Sequence, residues 1–127
     1  NTKSYQLIKS VLEDRSKAVY QGKIFVNSDA QKTDGYQLSK AILLNKNSEF
    51  NAKPELEIYA DDVKCSHGSA SGSLNEDSIF YLMSRGLNYN QSRELLINGF
   101  LLDVVEKITD PEIKNLIKNM IGIKEWI

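Results

Sequence analysis

The stretch "VKCSHGSASGS" at positions 63–73 holds the one cysteine and the one histidine of this 127-residue chain, Cys65 and His67. Thiolate and imidazole are both good ligands for iron and zinc, and a thiol beside an imidazole can also act as a nucleophile with its base. The third interpretation is structural, with a buried cysteine and a hydrogen-bonded histidine in an ordinary strand.

A strand over 63–70 would position both side chains. Alternate residues of a strand point to opposite faces, so Val63, Cys65 and His67 share one face, and the valine indicates the inner one. Cys65 and His67 would then lie about 6.6 Å apart with parallel side chains. No third group is placed to orient them, which disfavours a nucleophilic pair. We expect Cys65 to be structural or accessory, and we expect the chain not to be an enzyme.

A metal site needs more ligands than this pair provides. The sequence has no second cysteine or histidine, and the nearby candidates are the carboxylates of Glu57, Asp61 and Asp62. A four-ligand site cannot be closed with thiolates and imidazoles from this chain alone. Any site must therefore be weak, use oxygen ligands, or be completed by another chain. The stretch also lacks the spacing and the lysine of a phosphate loop.

Composition restricts the class of protein. The net charge is −1, which gives no electrostatic reason to expect nucleic acid as a partner. No apolar run approaches the roughly 18 residues needed to span a bilayer, so we expect no membrane association. One cysteine cannot form an internal disulfide, which favours a reducing, cytoplasmic setting.

The first 74 residues have a strand-like pattern. Short runs rich in Val, Ile, Tyr and Phe are separated by Gly, Asn and Asp, and no helical run lies between them. Their spacing disfavours βαβ units and suits either a sandwich or a coiled β-solenoid. The five predicted strands are Tyr5–Leu12, Val19–Val26, Tyr36–Leu44, Leu56–Tyr59 and Val63–Ala70.

From Asn75 the pattern becomes helical, which predicts a β domain over 1–74 and a helical domain over 75–127. Asn75 is a candidate N-cap, and Gly86 a candidate stop for the first helix. The second helix is predicted over about 91–108. The third is predicted to start where Asp110 caps and Pro111 takes the first helical position, and to reach about 124.

The second helix is apolar on nearly all sides, which indicates burial between neighbouring elements or a face that docks on a partner protein. The third helix is amphipathic through Ile113, Leu116, Ile117, Met120 and Ile121. Trp126 is either a core plug or a partner anchor. The candidate partner-binding residues are Phe100, Leu101, Val104, Val105 and Trp126.

Four segments, taken in order, resemble the SufB/SufD family of iron–sulfur cluster assembly scaffolds. The most specific is "KPELEIYADDVKCSHGSASGSLNEDSIFYLMSRGL" (53–87), in which "KCSHG" is similar to the SufD version. Leu38 stands where SufB-type proteins carry a cysteine, which again favours SufD. The other segments are "VYQGKIFV" (19–26), "AQKTDGYQLSKAILLN" (30–45) and "ELLINGF" (94–100).

The resemblance implies a C-terminal fragment of a longer protein, with the last turns of a right-handed parallel β-helix followed by a small helical domain. It implies a scaffold subunit that works with a SufB-like subunit and a SufC-like ATPase, in the cytoplasm or in a plastid-type organelle. It also implies that His67 is a ligand to iron or to a transient Fe–S cluster completed by a partner chain, with Cys65 as a less secure second candidate. An isolated piece of a β-helix exposes strand edges, so we expect self-association.

Overall fold

The computed structural model describes residues 1–123, which form five β-strands followed by three α-helices. The chain divides into two compact units, Asn1–Ser73 and a second that begins at Leu74. Each of the five predicted runs corresponds to a strand. The strands are β1 (Lys3–Leu12), β2 (Lys17–Val26), β3 (Asp34–Leu43), β4 (Glu49–Ile58) and β5 (Lys64–Gly72).

The strands alternate between two parallel sheets. One has the order β1-β3-β5, and the other pairs β2 with β4. Lys3 is paired with Asp34 and Asp34 with Lys64, so each strand pairs with one about 30 residues further along the chain. Parallel pairing throughout excludes an antiparallel sandwich. The order of strands before helices is confirmed, whereas the closure of the sheets into a right-handed β-helix stays a prediction.

Strand β4 begins seven residues earlier than predicted, at Glu49 rather than Leu56. Its first five residues alternate polar side chains with Phe50 and Ala52, and the next residue, Pro54, is paired with Gly22 of β2. Proline cannot donate to a sheet ladder and is therefore confined to edge strands, which is the position of β4 in a two-stranded sheet.

The interior of the first unit is partly apolar and partly polar. Ile24, Val26 and Ala60 form a buried hydrophobic cluster. Along β3, the buried positions alternate with more exposed ones. Two of these buried residues are polar, since Gln37 and Ser39 are each 1% exposed.

The helices begin at the predicted caps or close to them. Helix α1 (Glu76–Ser84) begins after Asn75, whose side chain accepts from the Ser78 amide. Helix α2 (Tyr89–Val105) begins before the predicted 91, because Asn88 and Gln91 form a reciprocal capping box. Gly86, between these helices, has a φ of 103°, in the left-handed region that glycine adopts without a Cβ penalty.

Helix α3 (Pro111–Met120) begins at the predicted cap, with the Asp110 carboxylate accepting from the amides of Glu112 and Ile113. The helix ends earlier than the predicted 124. Gly122 has a φ of 70°, and the Ile123 amide donates to the Lys118 carbonyl, which closes the helix end.

The apolar residues of the helical unit are less buried than the amphipathic pattern predicts. Helix α2 contacts both α1 and α3. On α3, Ile113, Leu116 and Met120 are 48%, 59% and 76% exposed, so this apolar face is open to solvent rather than packed in a core.

Candidate functional site

Strand β5 carries both residues that could bind a metal, and it is the last strand of its sheet. Its partner is β3, with Gly35 opposite Cys65 and Gln37 opposite His67. The predicted sharing of one strand face holds, because Cys65 and His67 are two residues apart in a regular strand. Their surroundings nevertheless differ.

Cys65 packs inward. It is a free, half-buried cysteine that contacts the buried cluster of Ile24, Val26 and Ala60. Gly35 provides the space for the thiol, since a Cβ at Gly35 would lie 3.4 Å from Cys65 Sγ and 3.3 Å from a methyl carbon of Ile24. This environment is that of a small core residue.

His67 is exposed. Within residues 1–123, its imidazole makes no hydrogen bond or ion pair with another side chain or with the backbone. Imidazole nitrogens are common ligands for iron and zinc. Of the two sequence candidates, His67 is therefore the accessible one.

A polar cluster lies beside His67 on the inner face of the sheet. Gln37 Nε2 donates to Gln6 Oε1 at 3.1 Å, and the Tyr20 hydroxyl donates to the same oxygen at 3.1 Å. The second amide atom of Gln37, Oε1, is buried without a hydrogen-bond partner among the described residues.

Gly22 makes room for this polar cluster. A Cβ at Gly22 would lie 2.3 Å from the Tyr20 hydroxyl and 2.5 Å from Gln37 Nε2. Our sequence reasoning missed the cluster. No local signal marks Gln37, because it lies between the apolar Tyr36 and Leu38, a pattern that would place it on the outer face.

The carboxylate candidates do not join the pair. Glu57 accepts from Lys23 Nζ at 2.8 Å and from the Tyr59 hydroxyl at 2.7 Å, on an exposed face of the other sheet. The hydrogen bond from Lys23 is the main cause that lowers the pKa of Glu57, and the bond from Tyr59 adds to it. The same contact with Glu57 raises the pKa of Lys23 and of Tyr59.

The metal donors of the described residues do not converge. Among residues 1–123, no group of three or more His, Cys, Asp or Glu side chains could hold a metal ion. The described residues therefore offer an exposed imidazole and an inward thiol, with no third donor placed beside them.

The candidate partner-binding residues differ in exposure. Phe100, Leu101 and Val104 are half-buried, whereas Val105 is 4% exposed. Trp126 lies outside the described residues. Between α1 and α2 is an open cleft of about 480 Å³, lined in part by Tyr81, Leu82, Leu95 and Leu96.

No helix within residues 1–123 has the length and hydropathy required to span a bilayer.

Residues 1–100 match the family described as "SUF system FeS cluster assembly, SufBD core domain". Because the match covers most of the chain, the protein belongs to the SufBD family of iron–sulfur cluster assembly proteins. Within this family it is SufD-like. It is 41% identical to the iron–sulfur cluster assembly protein SufD of Escherichia coli over 119 residues, which is 94% of this chain and 28% of that protein.

Two further relatives extend the comparison. The chain is 42% identical over 117 residues to the chloroplastic protein ABCI7 of Arabidopsis thaliana, covering 91% of this chain and 25% of the relative. It is 43% identical over 103 residues to an iron–sulfur cluster assembly SufBD family protein of Synechocystis. This match covers 81% of this chain and 23% of the relative. The chain spans about a quarter of the length of these relatives.

Proposed function

We propose that this chain is the C-terminal portion of a SufD-like scaffold subunit, which acts with a SufB-like subunit and a SufC-like ATPase to acquire iron and to assemble and transfer Fe–S clusters. His67 is a ligand to the iron or the cluster, which is the cargo of the complex. The observation that carries the proposal is the exposed imidazole of His67 on the edge strand β5, beside a thiol that packs inward.

The incomplete donor set supports completion by another chain. An imidazole and one inward thiol cannot saturate a cluster, so thiolate or oxygen ligands must come from the SufB-like partner. The position of His67 on the terminal strand of its sheet places it where a second chain can approach. Cys65 has an accessory or structural role, because its sulfur is in contact with the hydrophobic cluster.

We also propose that the two parallel sheets belong to a right-handed β-helix. Two features support this architecture: the strands alternate between the sheets, and each pairs with a strand about 30 residues away. In such a coil the crossover between parallel neighbours is a strand of the opposite sheet, so no helix is needed.

The helical unit is proposed to dock the SufC-like ATPase. The exposed face of α3, formed by Ile113, Leu116 and Met120, is apolar, and an apolar helix face is one of the recurring surfaces by which proteins dock. The half-buried residues Phe100, Leu101 and Val104 extend the candidate surface on α2. The scaffold hydrolyses no nucleotide itself, and it acts in the cytoplasm or in a plastid-type organelle.

Cluster reconstitution tests the ligand role. The full-length protein with His67→Ala is combined with its SufB-like and SufC-like partners, and the iron and sulfide bound per complex are measured. We expect a loss of cluster relative to wild type. The matched control is Ser69→Ala, which alters the next exposed residue on the same face of β5.

The exposed α3 face also favours a second candidate function, a purely structural module that docks SufB-like and SufC-like partners without binding iron. That function predicts normal SufC binding and unchanged cluster content in His67→Ala. Normal complex formation with less cluster supports the ligand role instead.

A further inference from the structure

Three inner-face residues of the first sheet are aligned across its strands. The register places Gln6 of β1 opposite Gln37 of β3, and Gln37 opposite His67 of β5. In a parallel sheet, residues aligned in this way lie on the same face of neighbouring strands about 4.8 Å apart. The imidazole of His67 therefore ends a column that starts with two amides.

The hydrogen bonds show which end of the Gln37 amide faces each neighbouring strand. Gln37 donates through Nε2 to Gln6 Oε1, on the side of β1. The Tyr20 hydroxyl donates to the same Gln6 oxygen, so this oxygen accepts two hydrogen bonds. A flipped Gln37 amide would put two carbonyl oxygens against each other. As long as Gln6 presents its oxygen, Nε2 of Gln37 faces β1, and in stacked amide ladders the oxygen then faces the opposite neighbour.

The opposite neighbour of Gln37 is His67. Gln37 is 1% exposed, and its Oε1 has no hydrogen-bond partner among the described residues. A buried carbonyl oxygen without a donor is unfavourable, and native proteins rarely leave one unpaired. The group with a donor that stands next in the column is the imidazole of His67.

We propose that Gln37 is a positioning residue for His67. The two groups are not hydrogen-bonded in the described conformation, in which His67 is exposed. The proposed contact forms when the imidazole rotates toward β3, so that Gln37 Oε1 accepts a hydrogen bond from one ring N–H and selects a single tautomer. The other ring nitrogen then keeps its lone pair and faces away from the amide. The functional consequence rests on the proposed ligand role, since metal-binding histidines commonly donate their second N–H to a carbonyl or carboxylate that orients the ring.

The tautomer can be measured without any metal. The chain contains one histidine, so ¹⁵N-histidine labelling gives one pair of ring nitrogen signals. Their chemical shifts, recorded where the ring is neutral, report which nitrogen carries the proton. We expect one tautomer to predominate by at least about tenfold in the wild-type chain. In Gln37→Met, which is similar in length but lacks the acceptor, we expect the ratio to approach that of an unfolded histidine peptide.

Ser39→Ala is the matched control. Ser39 is as buried as Gln37 and lies two residues further on the same face of β3, but it is paired with Ser69 rather than with His67. We expect this variant to keep the wild-type tautomer ratio. A shift in Ser39→Ala equal to that in Gln37→Met would assign the effect to general loosening of the strand and would overturn the proposal.

A wild-type tautomer ratio equal to that of an unfolded peptide also overturns the proposal, as does an unchanged ratio in a folded Gln37→Met. If Gln37→Met does not fold, a measurement on the wild-type chain alone still tests the proposed contact. Scalar coupling through the hydrogen bond between the His67 ring nitrogen and the Gln37 side-chain carbonyl carbon is expected, and its absence counts against the contact. These readouts involve no iron, so a fixed tautomer combined with normal cluster assembly in His67→Ala would reject the ligand role and retain the Gln37 contact.

Discussion

Cys65 and His67 lie two residues apart on the same face of β5, yet the thiol packs against the hydrophobic cluster while the imidazole is exposed. The difference arises along the strand. Cys65 is opposite Gly35, where the missing Cβ leaves space for sulfur beside Ile24, and His67 is opposite Gln37, which is itself buried. A pair that resembles a joint metal site in the sequence is thus one core residue and one exposed imidazole.

The core position of Cys65 predicts a stability effect. Cys65→Ser is expected to lower the free energy of unfolding by about 1–3 kcal/mol, because the hydroxyl would replace sulfur in an apolar niche without a partner. Urea denaturation measures the change. Ala70→Ser adds the same hydroxyl at an exposed site of β5 and should stay within about 0.5 kcal/mol of wild type. Equal effects of the two variants would contradict the assignment of Cys65 to the core.

Gly22 is predicted to be intolerant of even a methyl group. In Gly22→Ala the new Cβ would meet the Tyr20 hydroxyl and Gln37 Nε2 well inside contact distance, and both atoms are held by Gln6. We expect a loss of about 1–3 kcal/mol in the free energy of unfolding, typical of overpacking. Gly72→Ala is the control, since nothing lies within 4 Å of its Cβ position. A Gly22→Ala variant as stable as Gly72→Ala would show that the polar cluster rearranges freely.

Glu106 is predicted to make the helical unit sensitive to acid. Hydrogen bonds from Lys114 and then Lys118, at 2.9 Å each, lower the pKa of the Glu106 carboxyl from its usual value of 4.5. A lowered folded-state pKa stabilises the fold above about pH 4.5, and this stabilisation is lost as the pH falls through the folded-state value.

Denaturation profiles between pH 3 and 7 test this dependence. The difference in unfolding free energy between wild type and Glu106→Gln should be present at neutral pH and should shrink as the pH falls below about 4.5. High salt should reduce it, because Glu106 is half exposed. The control is Asp29→Asn, an exposed carboxylate in the turn after β2. A difference independent of pH would contradict the ion-pair explanation.

The strand edges predict self-association of the isolated chain. In the described part of the chain, β1 and β5 end one sheet, and β2 and β4 each have one partner. Unpaired strand edges are templates for pairing with another chain. Light scattering should show a mass that rises with concentration, toward a dimer. The double substitution Ser66→Lys and Ala70→Lys on β5 should shift the population toward monomer. Asn47→Lys, in a turn, should not. A wild-type monomer at high concentration would contradict this prediction.

Local patterns in the sequence were sufficient for much of the fold. Strand alternation placed Cys65 and His67 on one face, and the caps at Asn75 and Asp110 located the starts of α1 and α3 because a cap depends on neighbours within three residues. The first half of β4 was missed because Pro54 interrupts the run, and a proline usually argues against a strand unless that strand is at an edge.

The alignment of Gln6, Gln37 and His67 across three strands could not be predicted from local patterns. Gln6 and Gln37 are 31 residues apart, and their contact depends on the register of two parallel strands rather than on any local period. The exposed face of α3 was missed for a related reason. An amphipathic pattern shows that an apolar face exists, but it does not show whether this chain or a partner covers that face.

The central claim, that His67 binds the cluster, is tested most directly by the nitrogen coupling of the assembled cluster. The full-length SufD-like subunit is labelled with ¹⁵N-histidine, combined with unlabelled SufB-like and SufC-like partners, and reduced to a paramagnetic state for pulsed electron paramagnetic resonance. We predict a ¹⁵N hyperfine coupling in the wild-type complex and its loss in His67→Ala. A cluster that forms without ¹⁵N coupling, or with the same coupling in His67→Ala, would contradict the assignment.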